Sequence, residues 1–325
     1  MYGLAADPNH SGAVLGLAAV KGRPADQPFT YHLATVEDLP RVAAPPPQRV
    51  HRLLERVWPG PLTAILPAVK GPGDVGVRVP AHPFTSSVLA EFGTGLFMTS
   101  ANRSGEPPLL EPDALAQAFA DDPRIGILAD AGPPILGEPS AIVRLRDRKL
   151  EIIRPGILQA DELLTGAAAK VLFVCSGNTC RSPLAEVLAR KLVAQRLEIG
   201  AGDVLAHGLC FLSAGTGTLD GMPASGGSLE AAQESDMSLE EHRSASLSRE
   251  RIDKADRIYC LSPSHVADVI AIGDAEASAK TSLLHTDDEG ISDPFGGPIE
   301  VYRETRNEIE THLRRRMDEI LELGG

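Results

Sequence analysis

Apolar runs in the second half of the chain alternate with stretches of helical period. Strand-like runs lie at 171–175, 208–213 and 256–262, and helical patterns lie at 183–196, 223–235 and 299–323. This alternation is typical of βαβ units, because parallel strands need a crossover connection that is usually a helix. The pattern predicts an α/β domain with a doubly wound parallel sheet and helices on both faces.

The first half has a different pattern, in which short β-branched stretches are mixed with helical ones. β-Branched residues cluster at 75–79 and 142–143, and apolar residues recur with helical spacing at 49–57 and 112–119. Both periods within one segment predict a mixed α/β domain with a twisted sheet and helices.

Composition changes between the two patterns, after the turn-like Arg154-Pro155-Gly156 and before the apolar run that starts at Val171. We therefore predict a first domain at 1–158, a linker at 159–169 and a second domain at 170–325.

Length and composition allow each domain its own core. The chain has 325 residues, of which 43% are hydrophobic. Its first residues lack the basic and apolar regions of a signal peptide, and no apolar run reaches the roughly twenty residues of a membrane helix. Four cysteines are too few for a secreted disulfide framework. These features predict a cytoplasmic protein with reduced thiols and no membrane partner.

The net charge is shared unevenly between the halves. Residues 1–160 hold 15 Lys+Arg and 16 Asp+Glu, and residues 161–325 hold 16 and 28, so the halves carry −1 and −12. An acidic surface repels phosphate-bearing partners at long range. A phosphate site in the second half must therefore be a small, local concentration of positive potential.

One segment of the second half has the composition of an anion-binding loop. It consists of Cys175, Ser176, Gly177, Asn178, Thr179, Cys180, Arg181 and Ser182. Gly177 lets successive backbone N–H groups turn inward, and Pro183 suits the first turn of the next helix. The positive end of that helix and the guanidinium of Arg181 can then bind one phosphoryl group.

A cysteine in that field can act as a nucleophile. Helix N-termini and nearby cations lower thiol pKa values, so we expect Cys175 to be a thiolate at neutral pH. Its attack on phosphorus gives a phosphocysteine, and Ser182 can donate to the sulfur when it leaves. Asp293, which lies in a loop with a proline and two glycines, is the expected proton donor to the leaving group. We expect no metal and no cofactor for this chemistry.

Further motifs follow the loop in order. They are Ser213-Ala214-Gly215-Thr216, Gly221 with Pro223-Ala224, His242-Arg243-Ser244, Ala255-Asp256 with His265, and Asp293-Pro294. With the loop, they resemble the low-molecular-weight phosphotyrosine/phosphoarginine phosphatase family over residues 170–323. The resemblance implies a four-stranded parallel sheet and phosphorylated protein substrates. It also implies Cys175 as nucleophile, Arg181 as phosphoryl ligand and Asp293 as general acid.

Other polar groups near this motif have less direct roles. We interpret His242 and Arg243 as a structural loop pair. Cys180 can form a reversible disulfide with Cys175 under oxidation, or it is an ordinary buried thiol. A redox protein such as an arsenate reductase has a similar loop but needs resolving cysteines, and the remaining cysteines lie in no relay pattern.

The loop also bears on which phosphorylated residue is bound. Tyrosine phosphatases of the family resemble one another in two features, a bulky aliphatic residue in the loop and aromatic residues just after Asp-Pro. At these two places this chain has Thr179 and Phe295-Gly296-Gly297. A small polar wall suits a guanidinium, whose N–H groups need acceptors, better than a phenyl ring. The loop resembles those of bacterial protein-arginine phosphatases. Phosphoarginine is therefore the predicted substrate, and phosphotyrosine is the alternative.

The first half holds cationic and short polar residues in separate motifs. The candidate binding residues are Tyr2, Lys21, Arg23, Ser100, Asn102, Ser140 and Arg154. Lys21 and Arg23 offer cations to triphosphate and carboxylate oxygens, and Ser100 and Asn102 offer short hydrogen-bonding groups. With the segment 58–63, the order of these motifs resembles the YrdC-like threonylcarbamoyl-AMP synthases.

This resemblance implies ATP, L-threonine and bicarbonate as substrates, with Mg²⁺ accompanying the ATP. It further implies a role in the threonylcarbamoyl-adenosine modification of tRNA, with RNA or tRNA-modification proteins as partners. The alternative is a domain that only binds RNA or nucleotide, joined to a tyrosine phosphatase.

Two positions depart from the synthase pattern. The family has a strand with Pro-Thr-x-Thr before the Tyr-Gly-Leu at residues 2–4, so we expect the first domain to lack its first strand and to have an open sheet edge. Our hypothesis is that the natural start lies upstream and that Met1 replaces a valine. Ser140 is followed by Ala141, where the pattern has a threonine.

Overall fold

Two compact units make up the chain, Met1–Ala167 and Ala168–Gly325. They are seen in a computed structural model that describes residues 1–24, 27–119, 121–132, 137–287 and 289–325. Within these ranges, no helix combines the length and the apolar composition that crossing a membrane requires.

The first unit is built on a mixed sheet. Its strands are β1 (Gly3–Ala6), β2 (Thr30–His32), β3 (Leu62–Pro67), β4 (Asp74–Arg78), β5 (Leu96–Ser100), β6 (Ala141–Arg146) and β7 (Lys149–Arg154). Their order is β1-β5-β2-β4-β3-β6-β7, with β2/β4 and β3/β6 parallel and the other pairs antiparallel. The predicted mixed sheet is confirmed.

Most helices of the first unit contribute apolar residues to two clusters. They are α1 (Ser11–Lys21), α2 (Gln48–Val57), α3 (Pro83–Phe92), α4 (Pro112–Phe119) and α5 (Ala160–Ala167), with a 3-10 helix at Val36–Arg41. Leu53 of α2 packs with Leu62 and Val77 of the sheet in one cluster. Leu17 of α1 and Phe119 of α4 belong to the other.

The predicted linker at 159–169 is wrong. Residues 160–167 form α5, which packs within the first unit, and Ala169 already belongs to the first strand of the second. Leu163 and Ala167 lie four residues apart on one helix face and are fully buried in the cluster that contains Leu53. Burial of this apolar stripe explains why the segment folds as a helix instead of remaining extended.

The second unit has a parallel sheet of four strands, as predicted. They are β8 (Ala169–Cys175), β9 (Leu209–Gly215), β10 (Arg257–Cys260) and β11 (Thr281–Leu283), in the order β11-β10-β8-β9. Successive side chains of β8 belong to opposite faces: Phe173 and Cys175 to one cluster, Leu172 and Val174 to another. Both faces are buried, which is why this strand is continuously apolar.

Helices cover both faces of this sheet. They are α6 (Arg181–Leu197), α7 (Gly226–Gln233), α8 (Arg249–Lys254), α9 (Pro263–Ile272), α10 (Ala275–Ala279), α11 (Ile299–Arg315) and α12 (Met317–Leu323), and 3-10 helices lie at Ala201–Asp203 and Leu205–His207. The cluster of Phe173 takes residues from α6 and α11, and the cluster of Leu172 takes residues from α8, α9 and α10.

The single helix expected at 299–323 is instead two helices. They separate at Arg316, whose backbone has φ −96° and ψ 5°. Its guanidinium donates to the carbonyl oxygens of Leu283 and Leu284 at 2.6 and 3.0 Å, so the break joins the helices to the end of β11.

Phe173→Ala should lower the free energy of unfolding of the second unit by about 3–5 kcal/mol, because it leaves a cavity in a core without exposed area. Leu212→Ala on the neighbouring β9 is the control, since Leu212 is 36% exposed. We expect this control to cost less than about 1 kcal/mol. Urea unfolding, monitored by hydrogen exchange in the peptides that contain β8 and β10, measures the free energy of unfolding of both variants. Equal losses would contradict a core centred on β8.

Candidate active site

The anion-binding loop connects β8 to α6 at the carboxyl end of the parallel sheet. Cys175 is the last residue of β8, and Arg181 is the first of α6, with Pro183 in its first turn. Gly215, at the end of β9, approaches the loop so closely that a Cβ there would lie 2.6 Å from the Ser176 carbonyl oxygen. A glycine at this position therefore lets two strand ends and the loop meet.

Cys175 is almost entirely buried, with its sulfur inside the loop. The backbone N–H of Asn178 donates to the sulfur at 3.2 Å, and the Ser182 hydroxyl lies 2.9 Å from it. Burial raises the pKa of the Cys175 thiol, while hydrogen bonds from Ser182, the charge of Arg181 and the Asn178 contact lower it. Desolvation and these contacts therefore act on the pKa of the thiol in opposite directions.

Asn178 holds the loop in shape. Its φ of +50° lies in the left-handed region, which asparagine tolerates better than most residues. Its side chain donates to Ser182 at 2.9 Å and accepts from the Ala245 N–H at 2.8 Å, and His242 Nε2 donates to its carbonyl oxygen at 2.7 Å. The contact from His242 supports the structural role proposed for that residue.

Arg181 and Asp293 meet, although 112 residues separate them in sequence. Arg181 Nη2 lies 2.5 Å from Asp293 Oδ2, and Nη1 donates to the Ile291 carbonyl oxygen at 3.1 Å. The Arg181 side chain is 7% exposed, whereas that of Asp293 is 47% exposed. A fixed cation beneath an accessible carboxylate is a suitable arrangement for binding a phosphoryl group and protonating its leaving group.

His265 contacts the loop, although its sequence position alone indicates no role. It is buried in the first turn of α9, and its Nε2 lies 2.9 Å from the Ser176 hydroxyl. Burial and the charge of Arg181 lower its pKa to about 4, so the imidazole is neutral at pH 7. Only its place among the family-like motifs singled it out in the sequence.

The remaining residues predicted for the site differ in exposure. Gly177 and Thr179 are partly buried, and Phe295 is 77% exposed. Cys180 is buried and its sulfur lies 3.2 Å from the Ser225 hydroxyl and 4.0 Å from that of Tyr302. These contacts fit the ordinary buried thiol proposed as one of its two interpretations.

A further histidine cluster lies at the start of the segment that leads to Asp293. Ligand-type atoms of His285, Glu308 and His312 lie within 4.8 Å of one another. However, Nδ1 of His285 accepts from the Asp287 N–H at 3.2 Å, and Nδ1 of His312 accepts from the Thr286 N–H at 3.1 Å. A neutral imidazole that accepts at Nδ1 carries its proton on Nε2, which then has no free lone pair. The geometry fits packed neutral imidazoles better than metal ligands.

In the first unit, Lys21, Ser100 and Asn102 come together. Lys21 Nζ donates to the Ser100 carbonyl and hydroxyl oxygens at 2.7 and 3.0 Å and to Asn102 Oδ1 at 2.6 Å. Burial, followed by the charge of Arg23, lowers the pKa of Lys21 to about 8. The structure thus fixes one ammonium group at the end of α1 beside the end of β5.

The other candidate residues of the first unit form separate contacts. Arg154 Nε donates to the Ser140 carbonyl oxygen at 2.9 Å. The Tyr2 hydroxyl donates to Asp130 at 2.7 Å, and Arg23 stacks 3.8 Å above the ring of Phe29. The contacts therefore join Arg154 with Ser140, and Lys21 with Ser100 and Asn102.

Family comparisons match the two units separately. The family described as low molecular weight phosphotyrosine protein phosphatase matches residues 170–322, and the Sua5/YciO/YrdC family, described as telomere recombination, matches residues 1–156.

Individual relatives divide in the same way. A protein-arginine-phosphatase of Geobacillus stearothermophilus is 36% identical over 161 residues, which are 46% of this chain and 95% of that protein. A threonylcarbamoyl-AMP synthase of Xanthomonas oryzae pv. oryzae is 35% identical over 169 residues, 47% of this chain and 86% of the relative. The solved structure of the YwlE arginine phosphatase from Geobacillus stearothermophilus is 34% identical, with a TM-score of 0.40 and coverage of 46% of this chain and 92% of that one.

A longer relative is the threonylcarbamoyl-AMP synthase of Bacillus subtilis, 31% identical over 172 residues. These residues are 50% of this chain, and the chain spans 49% of that synthase.

Ser182→Ala should move the ionisation of Cys175 to higher pH, because it removes a hydrogen bond that favours the thiolate. Loss of one hydrogen bond to a charged group corresponds to a shift of about one pH unit. The rate of Cys175 alkylation by iodoacetamide, followed by peptide mass spectrometry, gives the pH profile. Ser278→Ala, at an exposed serine of α10, is the control and should leave the profile in place. An unshifted Ser182→Ala profile would show that the hydroxyl does not stabilise the thiolate.

Proposed function

Because the chain belongs to the low molecular weight phosphatase family in its second half and to the Sua5/YciO/YrdC family in its first, we propose that the second half hydrolyses phosphoarginine in proteins. The observation that carries this proposal is the meeting of the Cys175 loop, Arg181 and Asp293, with the polar Thr179 in the loop wall. Phosphorylated cytoplasmic proteins are then its partners.

In the first chemical step, the Cys175 thiolate attacks phosphorus and the P–N bond breaks. Arg181 and the loop N–H groups bind the phosphoryl oxygens, and Asp293 gives its proton to the departing guanidine nitrogen. The product is a phosphocysteine and a free arginine side chain. Asn178 N–H and Ser182 already contact the sulfur, so they stabilise the charge that it carries before attack.

In the second step, water attacks the phosphocysteine and the S–P bond breaks. The Asp293 carboxylate, deprotonated in the first step, takes a proton from this water, and Ser182 donates to the leaving sulfur. Phosphate is released and the thiolate returns. One carboxyl group thus serves as acid and then as base, which its exposed position beside Arg181 permits.

Phosphotyrosine is the alternative substrate class for the same chemistry. Phe295, two residues after Asp293, is 77% exposed and could stack on a phenyl ring. Against this, Thr179 presents a hydroxyl where an aromatic substrate would need an apolar wall, and burying an unpaired polar group is costly. We therefore rank phosphoarginine first.

Thr179→Ile should shift preference from phosphoarginine towards phosphotyrosine, because it replaces a hydroxyl with an aliphatic wall. We expect the ratio of kcat/KM for phosphoarginine to kcat/KM for phosphotyrosine to fall about tenfold. This change corresponds to one hydrogen bond lost and to the apolar area gained. Phosphate release from two proteins, one phosphorylated on arginine and one on tyrosine, measures it. Cys175→Ser is the inactive control. The proposal would be refuted if the wild type prefers phosphotyrosine and Thr179→Ile leaves that preference unchanged.

For the first half, we propose synthesis of threonylcarbamoyl-AMP from ATP, L-threonine and bicarbonate, in support of tRNA modification. The buried Lys21 ammonium, held by Ser100 and Asn102, supports this proposal because a fixed cation suits triphosphate or carboxylate oxygens. Mg²⁺ would accompany the ATP. The alternative is an RNA- or nucleotide-binding module without turnover.

Lys21→Met should lower formation of threonylcarbamoyl-AMP by on the order of a hundredfold, as expected when one charge-stabilising donor is removed from a site. Lys70→Ala, at an exposed lysine of the same unit, is the control and should retain activity. Production of the adenylate from ATP, threonine and bicarbonate is followed by chromatography. Thermal stabilisation by ATP without product in the wild type would instead favour the binding module.

A further inference from the structure

A chain of hydrogen bonds runs from the phosphate loop into α9. The Ser176 hydroxyl lies 2.9 Å from His265 Nε2, and His265 Nδ1 lies 2.8 Å from the Ser262 hydroxyl. Ser262 in turn lies 2.9 Å from the Ser264 hydroxyl. His265 is 2% exposed, whereas Ser176 is exposed at the rim of the loop. A buried imidazole therefore holds an accessible hydroxyl next to Cys175.

Nearby charges decide the direction of these hydrogen bonds. Burial and the Arg181 cation keep His265 neutral at pH 7, although Asp268 and Asp293 act in the opposite sense. In a neutral imidazole one nitrogen donates and the other accepts. The Arg181 cation lies on the Ser176 side of the ring and favours the tautomer that turns the Nε2 lone pair towards it. In that tautomer, Nδ1–H donates to Ser262 and Nε2 accepts from Ser176, so the single hydrogen of Ser176 is committed to His265.

A serine whose hydrogen is committed in this way presents only lone pairs to its other neighbours. Arg181 Nη2 lies 3.4 Å from the Ser176 hydroxyl and 2.5 Å from Asp293 Oδ2. The Ser176 hydroxyl oxygen and Asp293 Oδ2 therefore both lie near Nη2 of Arg181, the residue that binds the phosphoryl group. A group held between them would meet two acceptors, a hydroxyl oxygen and a carboxylate.

We propose that Ser176 is a specificity residue that accepts an N–H of the substrate guanidinium, and that His265 is the positioning residue that fixes it as an acceptor. This inference rests on the proposed phosphoarginine activity. A guanidine leaving group carries several N–H donors that must be satisfied in the site, whereas the ester oxygen of phosphotyrosine carries no hydrogen. The pair would thus favour phosphoarginine over phosphotyrosine by binding the departing group.

The test compares kcat/KM for two peptides of one sequence, phosphorylated on arginine or on tyrosine at the same position. Ser176→Ala should lower the phosphoarginine-to-phosphotyrosine ratio about tenfold, the value of one hydrogen bond to a charged group. Ser176→Thr keeps the hydroxyl and should stay within about twofold of wild type. Ser278→Ala is the matched control away from the loop.

His265→Ala should lower the same ratio, and the double variant with Ser176→Ala should be no worse than Ser176→Ala alone, since both remove one interaction. Equal losses on both peptides, or additive effects, would show that the pair only maintains the fold and would overturn the inference. Thermal melts check that His265→Ala is folded. If it is not, Ser176→Ala, at an exposed position, still decides the test.

The wild-type ratio separates this inference from the function on which it rests. A wild type that prefers the phosphotyrosine peptide would overturn both. A wild type that prefers phosphoarginine, with an unchanged ratio in Ser176→Ala, would overturn the role of Ser176 alone.

Discussion

The Cys175 sulfur lies where burial opposes a negative charge and nearby hydrogen bonds favour one, and much of the second unit is arranged around that conflict. The sulfur ends a strand buried on both faces, so its position is fixed by the core. Asn178 adopts a left-handed backbone to aim its N–H at the sulfur, and Gly215 leaves room for the loop to approach β9. A sulfur that is held rigidly and has hydrogen-bond partners is suited to react with a substrate whose charged phosphoryl group binds to Arg181.

Local patterns in the sequence were sufficient to predict most of this arrangement. The apolar run of β8, the loop and Pro183 at a helix start predicted a phosphate-binding loop between a strand and a helix, and the mixed and parallel sheets were predicted correctly. The contact between Arg181 and Asp293 could not be predicted from local patterns, because 112 residues separate them. Their contact depends on how the ends of β8 and the Asp293 loop meet at one sheet edge.

What the sequence did not predict depends on tertiary environment. Desolvation of Cys175 opposes the expected lowering of its pKa, and no local pattern reports burial of a loop thiol. The stripe of Leu163 and Ala167 was too short to be distinguished from a linker until α2 was seen beneath it. The imidazole of His265 contacts a hydroxyl 89 residues away in the sequence. In the first unit, likewise, contacts group Lys21 with Ser100 and Asn102, and Arg154 with Ser140.

The central claim is that Cys175 takes the phosphoryl group from phosphoarginine. Rapid mixing of the full chain with a phosphoarginine-containing protein, quenching in denaturant and peptide mass spectrometry would test it most directly. The account predicts phosphate on the Cys175 peptide at early times, which then declines as free phosphate appears. Phosphate release with the Cys175 peptide unmodified throughout would contradict the account, because the group would then pass directly to water.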